Sequence, residues 1–366
     1  MTAHTEILLI AMAVSIACAV PGVFLVLRRM SMMADAITHT VFLGIVLAFF
    51  VTEDLNSPFL LVGATLVGVG TVWLIEMIHN THLVNEDASI GIIFPLLFSV
   101  AIILVSLYSG NAHLDVDTAL LGEIAFAPFD RFIVNGTDLG PVSLWISLTV
   151  AAVNLLSVIL FYKELKLSTF DPLLAGLFGF TPILIHYVLM TMVSLTVVAS
   201  FQAVGAILVI GLMIGPAVIA YLWTDSVKAM LISSILIGTI CAVIGTEVAF
   251  TMDVSIAGSI AATIGMGLII AVIATPKTGY IATYRRQRHL RRHYRETMML
   301  CHIYTHMDTP IAPVKNGIGT IHEHLNWTAD YTYQAASKLK KQGLIYVTKG
   351  YYVLTYKGIT QIKKVI

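Results

Sequence analysis

Asp35 and His39 stand four residues apart inside an otherwise apolar run. On a helix that spacing puts both side chains on one face, with Cβ atoms about 6 Å apart. A carboxylate oxygen and an imidazole nitrogen converging there are suitable donors for a first-row divalent cation. The spacing equally suits a buried Asp–His hydrogen bond, or a cap by Asp35 at the start of the helix. Glu123 lies in the short apolar patch Leu120-Leu121-Gly122-Glu123-Ile124-Ala125-Phe126. That patch is too short to cross a membrane and could dip back towards its centre, although on its own Glu123 reads as a solvated loop acid. Near the C-terminus, Cys301, His302 and His306 offer sulfur and nitrogen donors for a cytoplasmic metal, with His322 and His324 near by. On an exposed helix the same residues are ordinary surface groups. Cys18, Cys241 and Cys301 form neither a disulfide framework nor a CxxC clamp.

The elements that position these residues have to be membrane spans. Hydrophobic residues make up 58% of the 366-residue chain and charged ones 11%, where a soluble protein carries roughly 25% charged. Too few charges exist to cover a soluble surface, so a soluble enzyme is excluded as the main reading. A bilayer core about 30 Å thick takes roughly 20 apolar residues per helical crossing. Nine such runs lie near 5–27, 33–52, 58–78, 89–109, 142–162, 182–199, 203–222, 229–251 and 257–275. Only Ser200, Phe201 and Gln202 separate the sixth from the seventh, so eight and nine spans both stay open. Ionisable residues inside such spans are costly and mark pathways. The first run lacks a basic leader and reads as a span, not a signal peptide.

The zero net charge conceals two unlike parts. Residues 1–280 hold 7 Lys/Arg against 17 Asp/Glu, and residues 281–366 hold 14 against 4. Basic residues collect on the cytoplasmic side. Arg28 and Arg29 therefore place the first loop inside, and Lys163, Lys166, Lys228, Lys277 and the Arg-rich tail follow on the same side. Arg131, on the outer side, is the exception. No GxxxxGK[ST] motif occurs, so any ATP that drives this chain binds to another subunit.

Between the fifth and sixth spans, Asp171-Pro172 predicts a helix start, with Asp171 as cap and Pro172 in the first turn. The apolar Leu173, Leu174, Leu177 and Phe178 of that short helix suit a groove on a partner protein, or the surface of the lipid.

Four ordered motifs resemble the permease subunits of bacterial ABC importers for manganese, zinc and iron. Leu27-Arg28-Arg29-Met30-Ser31 followed by Asp35-Ala36-Ile37-Thr38-His39 is similar to the family's Arg-Arg-Met-Ser…Gly-Asp-Ala-Leu-Ser-His stretch. Glu86-Asp87-Ala88-Ser89-Ile90-Gly91, Phe170-Asp171-Pro172 with Ala175 and Gly179, and Phe201-Gln202-Ala203-Val204-Gly205 through Gly215-Pro216-Ala217 supply the others. The resemblance covers about residues 5–276. It implies a multi-pass protein of the bacterial cell membrane and one half of a permease dimer, formed with an identical chain or a paralogue. It also implies cytoplasmic ATP-binding subunits and an external metal-binding lipoprotein. By that resemblance Asp35, His39 and Glu123 meet the transported Mn, Zn or Fe. Asp171, Pro172, Leu174 and Leu177 couple to the ATPase. Leu43 stands where the family has a Pro, which puts a helix break there in doubt.

After the basic linker 281–296, an anchor for anionic lipid, residues 297–366 predict helices over 297–307, 318–325 and 328–342, stopped by Gly343. A hairpin over 344–354 and a last helix opened by Thr355 follow. That order resembles the winged helix of metal-responsive repressors. It would offer Thr332, Gln334, Lys338 and Lys341 to DNA, although winged helices also serve protein contacts. The expected fold is thus an all-α polytopic membrane domain, residues 1–280, followed by the linker and a small α+β winged-helix-like cytoplasmic domain. The expected function is permeation of a divalent metal. The competing reading is a membrane-tethered, metal-responsive transcription regulator, which would have no use for the loop at Phe170 to Phe180.

Overall fold

The computed structural model describes residues 2–53, 57–108, 124–134, 137–275 and 279–363. It divides into two compact units, Met1–Thr275 and Pro276–Ile366.

The first unit is a helix bundle. Its elements are α1 (Ala3–Leu27), α2 (Ser31–Thr52), α3 (Pro58–His79), α4 (Glu86–Tyr108), the hairpin β1 (Arg131–Val134) and β2 (Thr137–Pro141), α5 (Val142–Leu160), α6 (Tyr162–Phe170), α7 (Pro172–Leu177), α8 (Pro182–Val204), α9 (Ala206–Trp223), α10 (Val227–Met252) and α11 (Ile256–Ala274). Among the described residues, nine of these helices are long and apolar enough to cross a membrane: α1 to α5 and α8 to α11. The sixth and seventh runs are separate helices, divided at Gly205, whose φ of +77° only glycine adopts freely.

α1 is the most deeply buried span and packs against α2, α5, α8, α9 and α10. It turns into α2 within three residues. The Met30 N–H donates to the Leu25 carbonyl and the Arg29 N–H to the Val26 carbonyl, a helix end that needs one left-handed residue. Here that residue is Arg29, with φ of 62°, where glycine is usual. α2 lies against α3, and a Cβ on Gly44 would fall 2.5 Å from the Ala64 Cα. The Thr71 hydroxyl donates to Thr40 across this seam at 2.9 Å. α2 is unbroken from Ser31 to Thr52, so the span continues straight through Leu43. Asn154 of α5 donates to the Ala17 carbonyl and to Thr196, tying α5, α1 and α8 together where no water competes.

The second unit comprises α12 (Tyr280–His306), α13 (Ala312–Lys315), α14 (Ile321–His324), α15 (Ala329–Lys341), β3 (Ile345–Thr348), β4 (Tyr351–Leu354) and α16 (Tyr356–Ile362). Residues 281–296 form the first half of α12, and the helix continues without interruption into the segment expected to begin at 297. The helix expected over 318–325 is reduced to the single turn α14, and α13 had no counterpart in the sequence reading. Met299, Leu300 and Ile303 of α12 pack with Leu339, Ile345, Tyr352, Leu354 and Ile362 in one small core. Gly343 ends α15 at φ of +69°. The hairpin pairs Ile345 with Leu354 and Thr348 with Tyr351 through Lys349-Gly350, both at positive φ, the turn that suits twisted strands.

Candidate metal pathway and coupling segment

Asp35 is in the second turn of α2 and His39 one turn further on. Met30, and not Asp35, is the N-cap of that helix. The His39 Nε2 is 3.5 Å from the Asp35 Oδ1, and each side chain is about one third exposed. Phe94 and Phe98 of α4 flank the imidazole, with ring centroids at 5.4 and 6.0 Å. With metal–ligand distances of about 2.1 Å, two donors 3.5 Å apart subtend about 110° at a shared cation. The pair can therefore offer one oxygen and one nitrogen without backbone movement, and further donors must come from elsewhere.

Glu123 lies outside the described residues. Its neighbour Ile124 is 1% exposed and packs in the main core of the bundle. Ile124 also lines a cavity of about 330 Å³ with Ala249, Phe250 and Asp253, at the end of the bundle where α1 begins. Asp35 sits at the other end of α1, a helix roughly 37 Å long by its 25 residues.

The short helix expected at Asp171-Pro172 is present. Asp171 caps α7 by accepting from the Leu174 N–H at 2.9 Å, and Pro172 opens the helix. Leu173 and Leu177 are 84% and 85% exposed, Phe178 is exposed beside them, and Leu174 is partly covered. A short helix with this much apolar surface presents a face for another protein or for lipid. The sequence reading missed α6, which precedes α7 and presents Ser168 and Thr169 to Arg28.

In the second unit the His302 and His306 rings lie 4.6 Å apart, and His302 stacks on His324 at 6.1 Å. Cys301 instead packs against the small core. The His306 Nδ1 faces the His302 carbonyl at 2.9 Å, and the His302 Nε2 faces the Lys315 carbonyl at 3.1 Å. Burial holds the His302 imidazole below the usual histidine pKa. Among the described residues no three His, Cys, Asp or Glu side chains converge on one point. Thr332 is buried and bonds to the Thr328 carbonyl, and Lys338 pairs with Glu296 of α12. Of the four residues expected to face DNA, Thr332 is turned into the fold, while Lys338 makes a surface pair and stays about half exposed. Arg295 of the basic stretch stacks on Tyr331 at 4.0 Å.

Residues 3–275 match the ABC 3 transport family. The chain is 41% identical to the zinc transport system membrane protein TroD of Treponema pallidum, over 97% of this chain and 96% of that protein. It is 44% identical to the manganese transport system membrane protein MntD of Bacillus subtilis, over 73% of this chain and 90% of that protein. Among solved structures it resembles PsaBC from Streptococcus pneumoniae in complex with Fab. That match has 29% identity and a TM-score of 0.64, over 76% of this chain and 94% of the other. An inward-facing putative metal-chelate type ABC transporter shares the fold at 17% identity and a TM-score of 0.52, over 77% of this chain and 85% of the other.

Proposed function

Because the chain belongs to the ABC 3 transport family, we propose that Asp35 and His39 form the point at which its cargo, Mn(II) or Zn(II), is held during passage. The chain is the multi-pass membrane permease of a bacterial ABC-type importer for these metals, and ATP is hydrolysed by a separate ATPase subunit. The observation that carries the proposed site is the convergence of a carboxylate and an imidazole on one face of α2, with both donors still reachable. Fe(II) accepts the same donors, so iron belongs to the proposed range. One oxygen and one nitrogen hold such a cation loosely enough to release it, and the four-ligand cage of a structural zinc site is absent from this pair.

The exposed apolar face of α7 is the proposed seat of the ATPase. A second permease, identical or paralogous, would complete the pathway, and an external metal-binding lipoprotein would deliver the cation. The winged-helix-like tail is proposed as a regulatory attachment, with its basic first half on anionic lipid. The competing regulator reading is weakened by the burial of Thr332.

The test is uptake of Mn(II) and Zn(II) by cells carrying Asp35→Ala or His39→Ala at equal membrane expression. Loss in both variants is expected, and normal uptake by either removes the site. Glu123→Gln in the same assay tests the third proposed ligand, because Ile124 beside it lines the outer cavity and not the Asp35–His39 pair.

A further inference from the structure

At the inner end of the bundle, the end that carries Arg28 and Arg29, one guanidinium reaches two other helices. Arg28 is the C-cap of α1. Its Nε donates to the Thr169 hydroxyl at 3.2 Å and its Nη2 to the Ser168 hydroxyl at 3.2 Å, both on α6. Its Nη1 is 3.4 Å from the His186 Nδ1 on α8. The other ring nitrogen of His186 is 2.7 Å from the Glu76 Oε1 on α3, and the Tyr187 hydroxyl donates to the Glu76 Oε2 at 2.7 Å. α3 then lies against α2, where the Thr71 hydroxyl donates to Thr40, the residue that follows His39.

Three features make this more than surface decoration. Arg28 is partly buried, and a charged guanidinium taken out of water is costly unless hydrogen bonds such as those to Ser168 and Thr169 replace its hydration. Its planar fork spreads three nitrogens over three partners, a geometry the single ammonium of lysine cannot copy. Its left-handed neighbour Arg29 closes the α1–α2 turn, so Arg28 is fixed relative to α2 by backbone hydrogen bonds. On the other side, α6 leads directly into Asp171 and the apolar helix α7.

We propose that Arg28 is the positioning residue that transmits movement of the α6–α7 segment to the spans of the metal pathway, with His186 and Glu76 as its relay to α3. This rests on the reading of α7 as the ATPase seat. Its own content is that the connection runs through one side-chain node. A displacement of α6 by the ATPase pulls on Ser168 and Thr169, and the guanidinium carries that pull to α1 and α8 together. Without the node, ATP can still be bound and hydrolysed by the partner, and the spans no longer follow.

The experiment uses the full complex of this chain with its ATPase partner in proteoliposomes, measuring Mn(II) or Zn(II) uptake and ATP hydrolysis side by side. Arg28→Lys should keep the ATPase co-purifying and hydrolysing while metal moved per ATP falls about tenfold, as expected for losing hydrogen bonds to a charged group. Thr169→Val removes one acceptor without touching the arginine and should lower the same ratio in the same direction. An unchanged ratio in both variants overturns the proposal. So does loss of assembly together with uptake in both, which would make Arg28 a purely structural cap. A different pattern marks failure of the docking reading itself: Leu174→Asp with Leu177→Asp would then leave the ATPase bound, whatever Arg28 does.

Discussion

The Arg131 Nη1 of the outer hairpin stands 2.9 Å from the Oε1 of Glu6, a carboxylate only 2% exposed at the start of α1. Arg131 also reaches Asp138 at 3.3 Å. The one basic residue that breaks the inside rule is thus held outside by two acids, and its charge answers a buried one. Removing a single partner of such a pair leaves an uncompensated charge, at a cost of about 3 kcal/mol. Arg131→Gln should therefore lower the melting temperature in detergent by several degrees. Adding Glu6→Gln should recover part of the loss. A double variant no more stable than the single one would show that the pair carries little.

The apolar face of α7 gives a direct prediction about assembly. Leu174→Asp together with Leu177→Asp introduces two charges that a docked groove would have to desolvate. The purified permease should keep its helical content and lose its ATPase subunit. Retention of the subunit would assign this face to lipid.

The second unit should lose stability in acid. The folded pKa of His302 is depressed by burial, so the unfolded chain binds its proton first as pH falls. The contribution of His302 is fully present above its unfolded pKa, about 6.5. It declines as pH falls from there towards the lower folded pKa. A fragment starting at Gly279, which keeps all of α12, should unfold at progressively lower denaturant between pH 7.5 and pH 5.5. His302→Gln should flatten that slope, and an unchanged slope would assign it to other groups.

Gly22 tests how closely the spans approach. A Cβ there would fall 1.9 Å from the Met213 carbonyl oxygen of α9. Gly22→Ala must push α1 and α9 apart, with a destabilisation of about 1–3 kcal/mol as for other overpacked cores. A thermal midpoint equal to that of the unsubstituted protein would show that the two helices are free to separate.

Much of this architecture is written locally. Each span announces itself because a bilayer demands about 20 apolar residues in a row, with backbone groups satisfied within the helix. The Asp171 cap, the stop at Gly343 and the turn at Lys349-Gly350 are legible for the same reason: their hydrogen bonds or special φ values involve residues a few positions apart. Asp35 and His39 belong to this class, since i and i+4 meet on any helix. The outer hairpin β1–β2 escaped notice because Arg131-Phe-Ile-Val and Thr137-Asp-Leu-Gly-Pro alternate too briefly for a strand signal.

What the sequence could not decide is who meets whom across the bundle. Arg28, Ser168, His186 and Glu76 lie on four helices and as many as 158 positions apart, and no periodicity links them. The same holds for Arg131 and Glu6. Thr332 looked available until α15 turned it inwards, and the packing of Cys301 against the small core is likewise visible only in the fold. Local sequence reveals the apolar runs and the α2 face that presents Asp35 and His39, whereas the division of the sixth and seventh runs into two spans at Gly205 appears only in the fold. The tertiary structure decided which buried charges are compensated and which helices one arginine can hold. The physical reason is that helix propensity, capping and hydrophobic runs act over a few residues, whereas the partner of a buried polar group is chosen only when the spans pack.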